Sequence, residues 1–364
     1  MFGRNVAGLA ALAALGLALG GGAGAQSITK TPELQKIIDA AQKEGGLTIG
    51  MSDEPMAGSE GAEDGEKGMN KMFGTNIKVR FSVAPPYAEQ GAKLLTEMQA
   101  KQPASSDIYV STAVQFVPLW KAGLFKPVEW TKLYPERLKP EFVEGDNRAV
   151  RIYTSMPAVM YNKRFEAQVN KTEELADYLK PEWKGKFVTT PYLAGFDVLV
   201  SKEMWGPEKA EQYVRALSGQ VSGMLSCGSP DRLASGEMPV LVIDCAGASQ
   251  NKAKYKSVLG AKILRDTAQR RYGYLSIPVN SEHPNAAILY ILYYSSPEGQ
   301  ATLYKNTGYD MSEYPDSRRG PLVKQLEAKG YKFKDVNVAW WDSQADVTPN
   351  HRNLVKLLIQ NAKK

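Results

Sequence analysis

Histidine and cysteine are nearly missing, with two of each among 364 residues. Two histidines do not make a multi-histidine metal site. Two cysteines fall short of the thiolate sets that structural zinc or an iron–sulfur cluster usually needs. The catalytic signatures G-x-S-x-G, the Walker loop and H-E-x-x-H are missing too. His283 precedes Pro284, and His351 opens the last amphipathic stretch. Neither follows a predicted strand, so a hydrolase triad has no evident base. Paired-carboxylate chemistry is the enzyme reading left standing. There is no basic stripe of the kind that binds nucleic acid, no internal repeat and no low-complexity tract. What is present is ordinary: 43% hydrophobic, 23% charged, net charge +6. That excludes a disordered chain and a multi-span membrane protein. At ~150 residues per domain the length suits about two domains.

The N-terminus joins Arg4, an uncharged apolar run from Val6 to Leu19, and Ala23-Gly24-Ala25. These are the parts of a secretory signal peptide, residues 1–25, with cleavage after Ala25. The run is shorter than the ~20 residues of a spanning helix. No cysteine follows it, so no lipoprotein anchor is expected. Export would place Cys227 and Cys245 where disulfides persist. A bridge is the favoured reading, and closing the short loop between them is worth ~3 kcal/mol in the chain-entropy model. Two buried free thiols is the alternative, with a catalytic cysteine a weaker one.

Strand and helix patterns alternate along the rest. Leu47–Met51, Ile77–Phe81, 107–110, Lys186–Thr189 and Val240–Ile243 read as strands. Tyr87–Ala100, 116–124, Glu208–Leu217, Pro284–Tyr294, Pro297–Tyr304 and Asn353–Ile359 read as helices. The Gly-rich acidic stretch from Gly58 to Lys67 reads as a solvated helix face, and Tyr293-Tyr294 as core. The pattern predicts an α/β fold of two lobes, each a mixed sheet flanked by helices, with a ligand cleft between them.

Ligands of open α/β sheets sit beyond the carboxyl ends of strands. The residues there are Ser52-Asp53, Ser82 to Tyr87, Ser111-Thr112, Thr190 to Tyr192 and Asp244 to Gly247. Singly, each Ser or Thr reads as a helix cap. Together they suggest a polar cleft, with helix N-termini favouring anions. Tyr192 suits stacking or a hydrogen bond to a ligand, or else lobe packing. Asp244 suits an amine, or else a turn. Trp340-Trp341 reads as packing.

Several segments resemble the periplasmic solute-binding proteins of ABC importers, in the type II branch with ferric-, thiamine- and phosphonate-binding members. The resemblance rests on Tyr161-Asn162-Lys163, Leu179 to Lys186 (LKPEWKGK) and Ala234-Ser235-Gly236-Glu237. It continues in Ile277 to Asn280 with His283 to Ala287, and in Ser296 to Gln300. It implies the type II periplasmic binding protein fold. Residues 26–157 and 274–364 would form one lobe and 158–273 the other. Crossings are expected near Thr154–Tyr161 and Tyr272–Pro278. It further implies a periplasmic, monomeric receptor. This would deliver a small anionic or zwitterionic organic solute to a membrane permease, without cofactor, resident metal or nucleic acid. Arg271, beside the second crossing, could pair bidentately with a carboxylate, sulfonate or phosphonate, or be a solvated strand-edge residue. The candidate contacts are Ser52, Ser111, Thr112, Thr190, Tyr192, Asp244 and Arg271. Ferric members carry adjacent tyrosines where this chain has Asp244-Cys245-Ala246. That departure argues against tyrosinate iron, and ferric ion stays as the alternative cargo. A secreted enzyme is the alternative of another class.

Overall fold

A computed structural model describes residues 28–51, 56–227, 229–245 and 247–362. The signal-peptide segment and Ser52 lie outside them.

The chain begins α1 (Pro32–Glu44), β1 (Gly46–Met51), α2 (Gly58–Phe73), β2 (Lys78–Val83), α3 (Tyr87–Gln99), β3 (Tyr109–Thr112) and α4 (Ala113–Lys121). Local chemistry sets these limits. Thr31 caps α1 by accepting from the Leu34 N–H, and Gly45 ends it at φ 66°. β1 and β2 run parallel, and Ile49 bridges to Ile108 beside β3. β3 starts two residues later than the sequence pattern suggests, so Ser111-Thr112 end the strand instead of following it.

The next strands are β4 (Val143–Glu144), β5 (Ala149–Ser155) and β6 (Ala158–Asn162). After β6 come α5 (Phe196–Leu199), α6 (Gly206–Ser218), α7 (Pro230–Ser235), β7 (Val240–Asp244), β8 (Leu259–Lys262) and β9 (Gln269–Ser276). The chain finishes with α8 (Pro284–Ser295), α9 (Pro297–Thr307), α10 (Gly320–Ala328), β10 (Lys334–Val336), α11 (Val338–Asp342) and α12 (Val347–Ala362). The expected strand at 186–189 is reduced to two isolated bridges, at Val188 and Thr189.

Two larger sheets make the cores of two lobes. In the first, β9 is central. It pairs antiparallel with β5 and β3 and parallel with β10. In the second, β6 lies between β7 and β8, antiparallel to both. β5 runs from the first sheet into β6 of the second, and β8 is followed by the return strand β9. α8 is buried on all sides, as its uninterrupted apolar sequence requires. It packs on α1, α2 and α9.

The crossing at β5 is clasped by the segment after α9. Thr154 gives its N–H to the Asp310 carbonyl at 3.0 Å. Its hydroxyl donates to Glu313 at 2.7 Å. Arg319 donates to its carbonyl. A third passage runs between α11, which packs on α4, and α12, which packs on α6. α12 was expected with the first lobe; its contacts lie with α6, beyond the first crossing. Cys227 and Cys245, 18 residues apart, form a disulfide.

Candidate functional site

Arg271 lies where β9 changes partner. On one edge, Arg271 faces Val336 of β10, and two residues on Gly273 faces Thr112 of β3. Both neighbours end here, so two strand carboxyl ends meet at one point. Ser155 of β5 faces Arg271 from the other edge. A change of sheet order of this kind opens a crevice, and a cavity of about 420 Å³ lies there.

The first lobe supplies Tyr87 at the start of α3, and Thr112 and Gln115 at the β3–α4 junction. The Thr112 hydroxyl donates to Gln115 Oε1 at 2.6 Å, which closes the first turn of α4. Tyr153 lies against Gly273, where a Cβ would come within 2.0 Å of its ring. Its ring also meets Tyr309, centroids 4.8 Å apart. Across the cavity runs the loop from Thr190 to Gly195. Its left-handed residues are Leu193 (φ 48°) and Gly195 (φ 82°). Thr190 Oγ1 accepts from the Ala194 N–H at 2.7 Å, and His351 Nε2 donates to the Leu193 carbonyl at 3.2 Å. The helical segments after β10 add Trp341 and His351.

The charge is concentrated in one pair. Arg271 donates from Nη1 and Nη2 to the two Asp197 oxygens at 2.8 and 2.5 Å. The side chains are only 16% and 13% exposed. Burial presses the Asp197 carboxyl upward. The Arg271 guanidinium, His351 and the bonds from Arg271 and Val198 outweigh this and hold it below the usual carboxylate range. Arginine has five N–H donors, so a ligand can still engage the guanidinium after Asp197 has taken two. Tyr192 is set by the disulfide loop: its hydroxyl accepts from the Cys227 N–H at 2.6 Å and lies 3.9 Å from Cys245 Sγ.

Of the candidate contacts, Thr112, Tyr192 and Arg271 line the cavity. Ser111 and Thr190 are fully buried, Thr190 serving the loop as described. Asp244 is elsewhere. β7 runs one residue further than its pattern suggests, so Asp244 is the last strand residue. Its Oδ2 accepts from the Gly247 N–H at 2.9 Å, beside a separate narrow cleft. Trp341, read as packing, lies against Trp340 with the rings tilted at 59° and also faces the cavity. Asp197, Tyr309 and His351 carry no strand-end signal, because helix starts and loops bring them in from distant sequence. Among the described residues no three His, Cys, Asp or Glu side chains cluster as metal ligands. No described helix is long and apolar enough to cross a membrane.

Residues 67–328 match a model of the bacterial extracellular solute-binding protein family. No curated protein matches the chain in sequence. Solved structures match in fold. A substrate-binding protein of an ABC transporter from Agrobacterium tumefaciens superposes with TM-score 0.66 at 15% identity, covering 89% of this chain and 97% of that one. Iron-bound HitA from Pseudomonas aeruginosa gives 0.64 at 16%, covering 85% and 99%. The spermidine/putrescine substrate-binding protein PotD from Streptococcus pneumoniae gives 0.60 at 13%, covering 85% and 99%.

Proposed function

The chain belongs to the bacterial extracellular solute-binding protein family, and on that premise we propose that it is a periplasmic receptor for a small organic solute. It hands the solute to the permease of an ABC importer and alters no bond in it. The chain is exported by residues 1–25 and works as a monomer. Residues 26–157 and 274–346 form one lobe; residues 158–273, with α12 packed on them, form the other. Closure about the crossings buries the solute, and it needs only that the closed form bind better than the open one.

The observation that carries the solute class is a single charged pair, Arg271–Asp197, set among aromatic rings. A net-neutral pair suits a zwitterion or a weak anion better than a multiply charged ion. The anionic group takes the remaining guanidinium donors, and the body lies against Tyr192 and Trp341. The second reading, ferric ion, rests on the phenols of Tyr87, Tyr153, Tyr192 and Tyr309 around the same cavity.

A thermal-shift screen with carboxylates, sulfonates, phosphonates, thiamine and ferric salts separates these readings. At a hundredfold excess over Kd the true solute adds ~2.7 kcal/mol of stability. An organic anion or zwitterion is the expected hit. Stabilisation by ferric salts alone, with a visible charge-transfer band, overturns the organic reading.

A further inference from the structure

A second hollow, about 750 Å³, lies on the other side of the first crossing. Ser155 lines the solute cavity, and its neighbour Met156 lines this hollow. Consecutive side chains of an extended run point to opposite faces, so the backbone at 155–156 is a wall common to both. The far walls are the end of β8 and the helix α10.

The lining is basic. Lys262, Arg265, Arg318, Arg319 and Lys329 face it, with Glu173 the single carboxylate. Glu173 is already engaged by Lys262 at 3.2 Å. Asp310, behind the wall, accepts from the Arg318 N–H at 2.6 Å and offsets one further charge. Arg265 donates to the Lys329 carbonyl at 3.2 Å and lies 4.6 Å from the Tyr331 ring. Arg318 sits 5.0 Å from the Tyr304 ring. Among the described residues, Arg265, Arg318 and Lys329 form no salt bridge. Arg319 is buried and held by the Thr154 carbonyl. The hollow also carries amides, and Gln250 Oε1 is buried without a hydrogen bond. Like charges gathered in one concave site repel each other and focus a positive potential into it. Arginine and lysine at its rim match the geometry of phosphate and carboxylate oxygens.

We propose that this hollow is a second ligand site, separate from the solute cavity, that takes a small polyanion carrying phosphate or carboxylate groups. Arg318 and Lys329 grip it at the rim, Arg265 from the side, and Gln250 takes a hydroxyl. The site stands on its own residues and does not depend on the identity of the solute.

The test is calorimetric titration of the full chain with inorganic pyrophosphate at fixed ionic strength. One equivalent is expected to bind. The doubly substituted Arg318→Glu/Lys329→Glu protein should bind at least tenfold more weakly. The milder Arg318→Met/Lys329→Met pair should do so too if charge reversal impairs folding. Trp341→Ala, in the other cavity, should leave the affinity within twofold. The proposal is overturned if the native chain takes up no pyrophosphate at millimolar concentration. It is also overturned if the rim substitutions have no effect, or if Trp341→Ala abolishes uptake.

Discussion

Two carboxyls, Asp197 buried and Asp266 half-buried, make opposite statements about stability. Asp197 is held low by its partners. Its contribution is therefore fully present above the usual carboxylate pKa of ~4 and is lost as pH falls through its depressed folded value. Removing the cation exposes the cost of the site. Arg271→Met leaves Asp197 charged, buried and unpaired, and should destabilise the fold by about 3–5 kcal/mol in urea unfolding. Arg271→Met/Asp197→Leu should recover most of that loss. Asp266 is the reverse case. Burial pushes its carboxyl up to about 6, against the bond it accepts from the Leu175 N–H. The folded state then holds the proton more tightly than the unfolded one. Stability falls as pH rises from ~4 to about 6, because the unfolded chain ionises first. Asp266→Asn should remove that slope, as measured by melting temperature against pH. Neither role was legible in the sequence. Asp197 and Asp266 look like any other acids there; burial raises both, and only the fold shows that Arg271 faces Asp197.

At the scale of elements, glycine does work that a helical wheel does not display. Glu60 and Glu63 of α2 face solvent as expected, but Asp64 and Glu66 are half-buried, Asp64 accepting from Asn306 and Glu66 from Lys78 and the Val79 N–H. The other side of α2 rests on the tyrosines of α8. A Cβ at Gly65 would come within 2.6 Å of Tyr290, and one at Gly68 within 2.1 Å of Tyr293. Gly68→Ala should cost about 1–3 kcal/mol through overpacking, although alanine is the better helix former. Denaturant melts of Gly68→Ala against an exposed control such as Lys67→Ala check this. Tyr293-Tyr294 reads correctly as core, since both are buried. The neighbour that makes room for them cannot be read from apolar spacing. The cysteine pair belongs at this scale as well. Cys227→Ser/Cys245→Ser should lower stability by ~3 kcal/mol, the loop-closure contribution for such a separation. It should also free the loop that fixes Tyr192 through the Cys227 N–H. A loss of stability with solute affinity unchanged would refute that second role.

For the molecule as a whole, the two-sheet plan was legible because strand and helix grammar repeats in both halves. The α/β alternation and the strand-end rule brought Thr112 and Tyr192 to the cavity wall, and Arg271 came through the resemblance. The rest of the wall was not legible. Tyr153, Asp197 and Tyr309 are placed by how β5, β9 and the clasp at Thr154 cross, and nothing local in the sequence records a crossing. The passage from α11 to α12 is a further case. An amphipathic helix shows that it has an apolar face, not which lobe covers it. That passage carries Trp341 and His351 to the cavity, and with them the residues that the sequence assigned to packing or to a helix start.

In the proposed function, solute is taken up between two lobes and given back intact. Equilibrium dialysis of the stabilising solute, with mass spectrometry of what is recovered from the protein, tests it most directly. One equivalent per chain, unchanged in mass and lost in Trp341→Ala, is the predicted result. A solute recovered in altered form, or bound equally by Trp341→Ala, would contradict it.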